Sequence, residues 1–269
     1  MEALPQLKQS DTKEGAFRRM RLLNTVVGMA LAAKAKLASQ PVNETAKPKG
    51  WTLYEGNFLD NSERVHDSSV DLIHTDLPYG ASVEKMSSHS ATLGFDDSRS
   101  TIVTLLEHVA SESYRVLRND RYAVFWFGFN YYAELVVALQ HAGFSVSPVP
   151  VVWVKNTKSG ENPNTRYSNS YEPLLVAVKG QPSLMRPGAG NVKTFATVPP
   201  KDKLHVAEKP VELISDILKD LVAPGAVVVD WMAGSGSTAV AAARCKCISI
   251  LFEVEPAFCT IIKNRLGIL

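Results

Sequence analysis

Residues 225–255, "GAVVVDWMAGSGSTAVAAARCKCISILFEVE", restrict the chain to a narrow set of folds. An apolar run over 226–230 ends in Asp230, and Gly234 and Gly236 follow where the backbone must turn tightly. Ala239, Ala242 and Ala243 then give a small-residue helix face that can lie close to a sheet. A second apolar run ends in Glu253, 17 residues after Gly236. Strand, glycine turn, helix and strand make the repeating unit of a parallel α/β sheet. The turn reads G-x-G-x-x-A, which brings a nucleotide or nucleoside to a helix N-terminus, and an acid on the next strand tip suits ribose hydroxyls.

Such a unit normally opens a domain, yet only about 30 residues follow it here. The rest of the sheet must come from upstream. Apolar runs predict strands over 51–56, 70–76, 122–128, 145–154 and 171–178, with helices over 101–117, 130–141 and 210–222 and one closing the chain. Alternating strands and helices imply a Rossmann-like, mostly parallel sheet covered on both faces. The strand over 70–76 ends in Asp76, followed by Leu77, Pro78 and Tyr79. That places an acid, a stiff turn and an aromatic at the same sheet edge as the glycine turn, across the switch point.

Composition narrows the class further. With 45% apolar and 21% charged residues, the 269-residue chain has an ordinary globular balance. Its most apolar piece, "TVVGMALAA" at 25–33, is too short to span a bilayer, and acids precede it, so a cytoplasmic protein with no membrane partner is expected. Cys245, Cys247 and Cys259 form no CxxC pair, which points to neither a metal site nor a disulfide framework. Charge is unevenly spread: nine Lys and Arg stand against four Asp and Glu in 1–50, and again in 155–209. Basic segments flanking a neutral-to-acidic body suggest a polyanion met by separate elements. Residues 39–50, rich in polar residues and Pro, read as a linker between a basic helix over 14–38 and a body over 51–269.

Three motifs then carry a resemblance. "TDLPYG" (75–80) resembles motif IV of the DNA amino-methyltransferases, usually D-P-P-Y, and "VVDWMAGSGSTAVAAA" resembles their motif I. "HVAEKPVELI" (205–214) is similar to the segment that precedes motif I in the circularly permuted β group. Catalytic motif first, cofactor motif last and target recognition between them is that group's order; glutamine- and RNA-modifying relatives place the equivalent motifs the other way round. The resemblance implies S-adenosyl-L-methionine as cofactor and double-stranded DNA as partner, and it leaves room for a homodimer and a cognate restriction enzyme. It also implies site-specific methylation of an exocyclic amine. D-x-P-Y is more typical of adenine N6 than of cytosine N4, so adenine is favoured and cytosine stays open. A DNA-binding protein that kept the fold and lost turnover is the competing class; an NAD-dependent oxidoreductase rests on the glycine turn alone.

The chemistry agrees with the residues. A ring-conjugated amine is a poor nucleophile because its lone pair is delocalised. Asp76 and the Leu77 carbonyl can accept its hydrogens and aim its lone pair, Pro78 fixes their spacing, and Tyr79 offers a face to a flipped base. Asn57, Asp76, His205, Lys209, Asp230, Met232, Gly234, Gly236 and Glu253 are the candidate cofactor contacts. Two departures from the usual motifs stand out: Leu77 for proline should loosen the turn, and Trp231-Met232 should alter the wall beside the cofactor. Residues 155–204 are the expected target-recognition region, a long polar excursion and a loop, with Lys155, Lys158, Arg166, Tyr167 and Asn169 as DNA contacts.

Overall fold

A computed structural model of the chain describes residues 50–77, 99–159, 164–165 and 167–267. Pro78, Tyr79, Arg166 and the basic segment up to residue 49 lie outside the described residues. In chain order the elements are β1 (Trp51–Glu55), β2 (Val70–Asp76), α1 (Arg99–Val116), β3 (Leu117–Trp126), α2 (Tyr132–Ala142), β4 (Ser145–Val146) and β5 (Val151–Ser159). They continue with β6 (Asn169–Lys179), β7 (Val192–Thr194), α3 (Val211–Leu221), β8 (Val227–Asp230), α4 (Ser237–Arg244), β9 (Ile248–Glu253) and α5 (Pro256–Leu266). Among the described residues the strands form one sheet in the order β1-β9-β8-β2-β3-β6-β5-β7, with β4 also on β6.

The run β1-β9-β8-β2-β3 is parallel, as a buried sheet fed by crossover helices should be, while β6 is antiparallel to β3, β4 and β5. The decisive pairing joins β2 to β8, with Leu72 opposite Val228 and Ile73 opposite Val229. From that pair the chain departs to opposite sides, toward β3 and toward β9, which opens a crevice at the carboxyl edge. Asp76 and the glycine turn after Asp230 therefore share one edge, as the permuted motif order requires.

Period-two alternation decides the layers. Along β3, Ala123 and Phe125 face α1 and α2, which contribute Leu106, Val109, Leu135 and Leu139. Tyr122, Val124 and Trp126 face the other way, toward Leu213, Ile214, Ile217, Leu218 and Leu221 of α3. These α3 positions recur at helical spacing and present one apolar stripe to the sheet. Ile262 and Leu266 of α5 close the end near β9, packing with Leu251 and Ala239.

Three local expectations are corrected. The single strand over 145–154 is two strands, because Pro148 and Pro150 have no N–H to give a ladder and Ser147 turns the chain, its Oγ accepting from the Val149 N–H at 3.3 Å. The polar excursion after residue 154 is largely a hairpin, with β5 running to Ser159 and β6 starting at Asn169, where the two pair. The loop expected in the later part of 155–204 holds β7, which adds to β5 with Val152 opposite Val192.

Candidate active site

Asp76 is the last residue of β2, beside Trp126 at the end of β3. Its Oδ2 accepts from Lys209 Nζ at 2.5 Å, and Lys209, just ahead of α3, has a side chain only 5% exposed. The same ammonium lies 3.3 Å from Glu172 Oε2 on β6, and Glu172 Oε1 takes Lys155 Nζ of β5 at 3.2 Å. Two acids and two lysines, drawn from three strands and a helix lead-in, thus form one chain of charges. Trp126 floors it, with Lys209 Nζ 5.2 Å from its ring centre. Asp76 Oδ1 is different: it is buried and has no hydrogen-bond partner among the described residues. Burial pushes the Asp76 carboxyl above its usual range; the Lys209 ammonium pulls it back down and the Glu172 carboxylate adds to the rise.

Beneath this array a second runs from Trp126 through a neutral histidine to Asp230. Trp126 Nε1–H donates to His74 Nε2 at 3.2 Å, and His74 Nδ1 lies 3.0 Å from Thr238 Oγ1. Burial, with the Lys209 charge nearby, drops His74 to about 3, so the ring is neutral. An indole can only donate, so Nε2 is the acceptor and Nδ1 carries the proton toward Thr238. The Thr238 hydroxyl in turn donates to Asp230 Oδ2 at 2.6 Å, while Asp230 Oδ1 accepts from Met232 N–H at 3.1 Å. Burial raises Asp230 to about 6 despite those two donors. Asp230 therefore pins the start of the glycine turn to β2 and to α4.

The turn itself needs glycine. Gly234 and Gly236 sit at φ +52° and +80°, and a Cβ on Gly236 would stand 3.0 Å from Ile262 Cγ1. Glu253 braces the turn from the next strand, its Oε2 accepting from Gly234 N–H at 2.7 Å and its Oε1 from Glu255 N–H at 2.8 Å. Burial lifts this carboxyl to about 7, against those two backbone donors. A carboxylate has about four acceptor positions, so Glu253 can still receive hydroxyls.

Other expected cofactor contacts surround the turn with part of their polarity already committed. The His205 ring packs edge-on to Phe258 at 4.6 Å and lies over Gly234, its Nδ1 accepting from Ala207 N–H at 3.1 Å. Asn57 caps a short 3-10 turn just after β1, its Oδ1 accepting from Leu59 N–H at 3.1 Å. Met232 is half-buried. Trp231 belongs to the core: its ring is 1% exposed, 4.9 Å from the Phe252 ring centre, and its Nε1–H donates to Ser113 Oγ at 2.9 Å. The expectation that Leu77 loosens the turn is corrected. Its N–H donates to Trp126 O at 3.1 Å and its side chain is buried, so the turn is tethered to β3 by a bond that proline could not make.

Sequence reasoning passed over Glu172, His74, Trp126 and Thr238, which read as ordinary strand and helix residues. It also passed over Glu208 and Arg265. These two form an ion pair at 2.9 Å, and Arg265 also donates to Ser235 O at 3.1 Å, stitching the segment before α3 to the glycine turn.

The site thus joins an acid with one open oxygen to a glycine turn braced by a second acid. Residues 70–264 match the N6/N4 family described as DNA methylase. The chain belongs to that family. The methylase is 29% identical over 181 residues to YubD of Escherichia coli (strain K12), a protein assigned as a methylase, covering 65% of this chain and 72% of that one. Its fold matches the M1.HpyAVI–SAM complex with a TM-score of 0.65 at 19% identity, over 81% of this chain and 99% of that one. It also matches the cytosine-N4-specific PvuII DNA methyltransferase with a TM-score of 0.65 at 16% identity, over 81% and 86% of the two chains. At these identities the likeness is one of fold.

In this methylase the expected DNA-reading region is less basic at its surface than its composition suggests. Lys155 is 8% exposed and held by Glu172, within the charge chain of Asp76. Lys179 Nζ donates to the backbone oxygens of Tyr114 and Leu117 at 2.8 and 2.7 Å. Lys193 and Arg186 pair with Asp216 and Asp220 of α3. Lys158, Tyr167 and Asn169 are exposed on or beside the β5–β6 hairpin. An aromatic pair that the sequence did not single out stands nearby: Phe129 and Tyr171, 56% and 45% exposed, lie edge to face at 6.1 Å. No helix among the described residues is long and apolar enough to cross a membrane.

Proposed function

We propose that this DNA methylase transfers a methyl group from S-adenosylmethionine to the exocyclic N6 amine of adenine, with Asp76 as the residue that receives the amine. The observation that carries the reading is the asymmetry of the Asp76 carboxylate: Oδ2 is clamped by Lys209, and Oδ1 is buried without a partner at the mouth of the crevice. A buried acceptor left open costs stability and is kept where a ligand completes it.

The residues fit the cofactor. Positive-φ glycines bring backbone close to whatever occupies the turn, and Glu253 retains acceptor capacity for a ribose diol. When bound, S-adenosylmethionine supplies a methyl group on positively charged sulfur. Asp76 Oδ1 and the Leu77 carbonyl accept the two amine hydrogens, which localises the nitrogen lone pair and aims it at that methyl. Asp76 Oδ1 would stabilise the positive charge that methylation leaves on the amine nitrogen and would take its surplus proton before it passes to water. An acid at this position, where cytosine-modifying relatives usually carry serine, supports adenine. Lys158, Tyr167, Asn169 and the Phe129–Tyr171 pair are the surface proposed to meet DNA, with the rings as stacking platforms.

Mass spectrometry of nucleosides from duplex DNA incubated with the purified protein and labelled S-adenosylmethionine tests the reading. N6-methyladenine is expected; N4-methylcytosine would reassign the base, and no labelled base would refute turnover.

A further inference from the structure

Lys209 is among the expected cofactor contacts, and in the structure its ammonium also meets two carboxylates. It is 2.5 Å from Asp76 Oδ2 and 3.3 Å from Glu172 Oε2, with the Trp126 ring beneath it. Trp126 is itself fixed, stacked edge to face on Trp153 at 6.2 Å and donating to His74. Glu172 cannot drift, since Lys155 holds its other oxygen at 3.2 Å and is 8% exposed. With two partly buried acids, 25% and 27% exposed, balanced by lysines 5% and 8% exposed, removing one member leaves a poorly compensated charge. Such an arrangement costs more desolvation than an apolar core of the same volume, so it is informative about function rather than stability.

We propose that Lys209 is a positioning residue for methyl transfer: by gripping Asp76 Oδ2 it fixes the rotation and the charge of the carboxylate, so that Oδ1 alone faces the incoming amine, and the Glu172–Lys155 pair keeps Lys209 in place. This rests on the assignment of Asp76 as the amine acceptor. The two lysine grips act in series. Lys155 anchors Glu172, Glu172 anchors Lys209, and Lys209 sets Asp76 against the desolvation that would otherwise protonate it. A protonated Asp76 would present a donor where the amine also donates, and the lone pair would not be localised. Among the described residues, the groups that face Asp76 are Lys209 before α3, Glu172 on β6 with Lys155 behind it on β5, and Asp230 on β8; His74, two residues back on β2, is neutral.

The test uses the full chain, with Lys209→Met, Lys209→Arg and Glu172→Gln. Carbon-13 NMR of carboxyl-labelled aspartate reads the Asp76 titration directly, its signal assigned by its loss in Asp76→Asn. Lys209→Met should move the Asp76 midpoint up by about one unit or more, since an opposite charge at this range is worth that much. Glu172→Gln should move it down, because a like charge is removed while the amide oxygen can still accept from Lys209 and keep it in place. Opposite signs separate this role from general disruption of packing, which would shift both variants alike; shifts in one direction, or none, overturn the proposal. In single-turnover methyl transfer at saturating cofactor, Lys209→Met should lose about 100-fold at neutral pH, the cost of a misplaced group. Its acid limb should follow the NMR midpoint, and Lys209→Arg should recover part of the rate. A weakened cofactor dissociation constant with an unchanged single-turnover rate would instead make Lys209 a cofactor ligand. If the wild-type protein transfers no methyl group to DNA, the functional reading fails, while the NMR titration still decides whether the grip exists. Should Lys209→Met not fold, Lys209→Gln, which removes the charge but keeps a hydrogen-bond donor, carries the same comparison with Glu172→Gln.

Discussion

Two aspartates on β2, five positions apart, show how one residue type serves opposite ends of a strand. Asp71, near the start, is fully engaged: Oδ1 accepts from Arg118 at 2.6 Å and Arg121 at 3.1 Å, and Oδ2 accepts from the Val227 N–H at 2.9 Å. Although burial works against it, the Val227 N–H and the two guanidinium groups hold its carboxyl below the usual value. Asp76, at the end, keeps one oxygen without a partner among the described residues and its carboxyl raised. Asp71 ties β2 to β8 from beneath, which sets the register that brings Asp76 and the glycine turn to one edge. The acid with donors on both oxygens is a structural bolt. The acid with one oxygen open is the one proposed to meet a substrate.

The largest effect should come from Asp76→Ala. Methyl transfer is expected to fall by about 10²–10³-fold or more, as when a preorganised transition-state contact is deleted, with cofactor affinity retained. Near-normal turnover by that variant, measured with tritiated methyl donor, would erase the contrast with Asp71.

Glu253 sharpens the contrast from a third position, since both its oxygens accept backbone N–H groups yet its carboxyl is raised to about 7. Calorimetry should show Glu253→Ala weakening S-adenosylmethionine by about 10–100-fold, the range for a hydrogen bond to a charged group. In the wild type the same affinity should fall as pH drops through about 7, because the protonated acid loses an acceptor; the variant should lack that slope. A slope that persists in the variant would move the titration to another group.

Asp71→Ala should invert the Asp76 result: activity kept at low temperature, stability reduced by about 1–3 kcal/mol for the buried donor left open. The half-exposed Arg118 and Arg121 soften the loss because water can solvate them. The pH dependence has a definite sign. Because the folded carboxyl lies below its ordinary 3.8, its stabilisation is present above that value and lost as pH falls through the folded one. Denaturant midpoints of variant and wild type should therefore converge in strong acid. Asp76 has the opposite sign: its raised carboxyl favours the fold below 3.8, and that contribution is lost as pH rises through the folded value.

The smallest effect expected is at the exposed rings. Phe129→Ala and Tyr171→Ala should each weaken DNA binding by about 1–3 kcal/mol at constant salt, while the rate per bound complex changes less. Anisotropy titrations that leave affinity untouched would place the DNA elsewhere on the edge.

Much was legible in order and pattern. The strand ending in Asp76, the glycine turn, Glu253 on the next strand tip and the permuted order of motifs all follow from local periodicity and turn chemistry, which neighbouring residues determine. Even the split of the strand over 145–154 was written in Pro148 and Pro150 and was passed over. The partners of charges were not legible. Lys209 and Asp76 stand 133 residues apart, His74 and Thr238 164, and nothing local to either sequence says that they meet. A count of basic residues cannot tell Lys193, spent on α3, from Lys158, open to solvent. Backbone pattern determines which face of an element is buried. Only the packing of β2 against β8, of β6 over the carboxyl edge and of α3 beneath it decides which buried charges neutralise one another, and which acceptor is left without a partner.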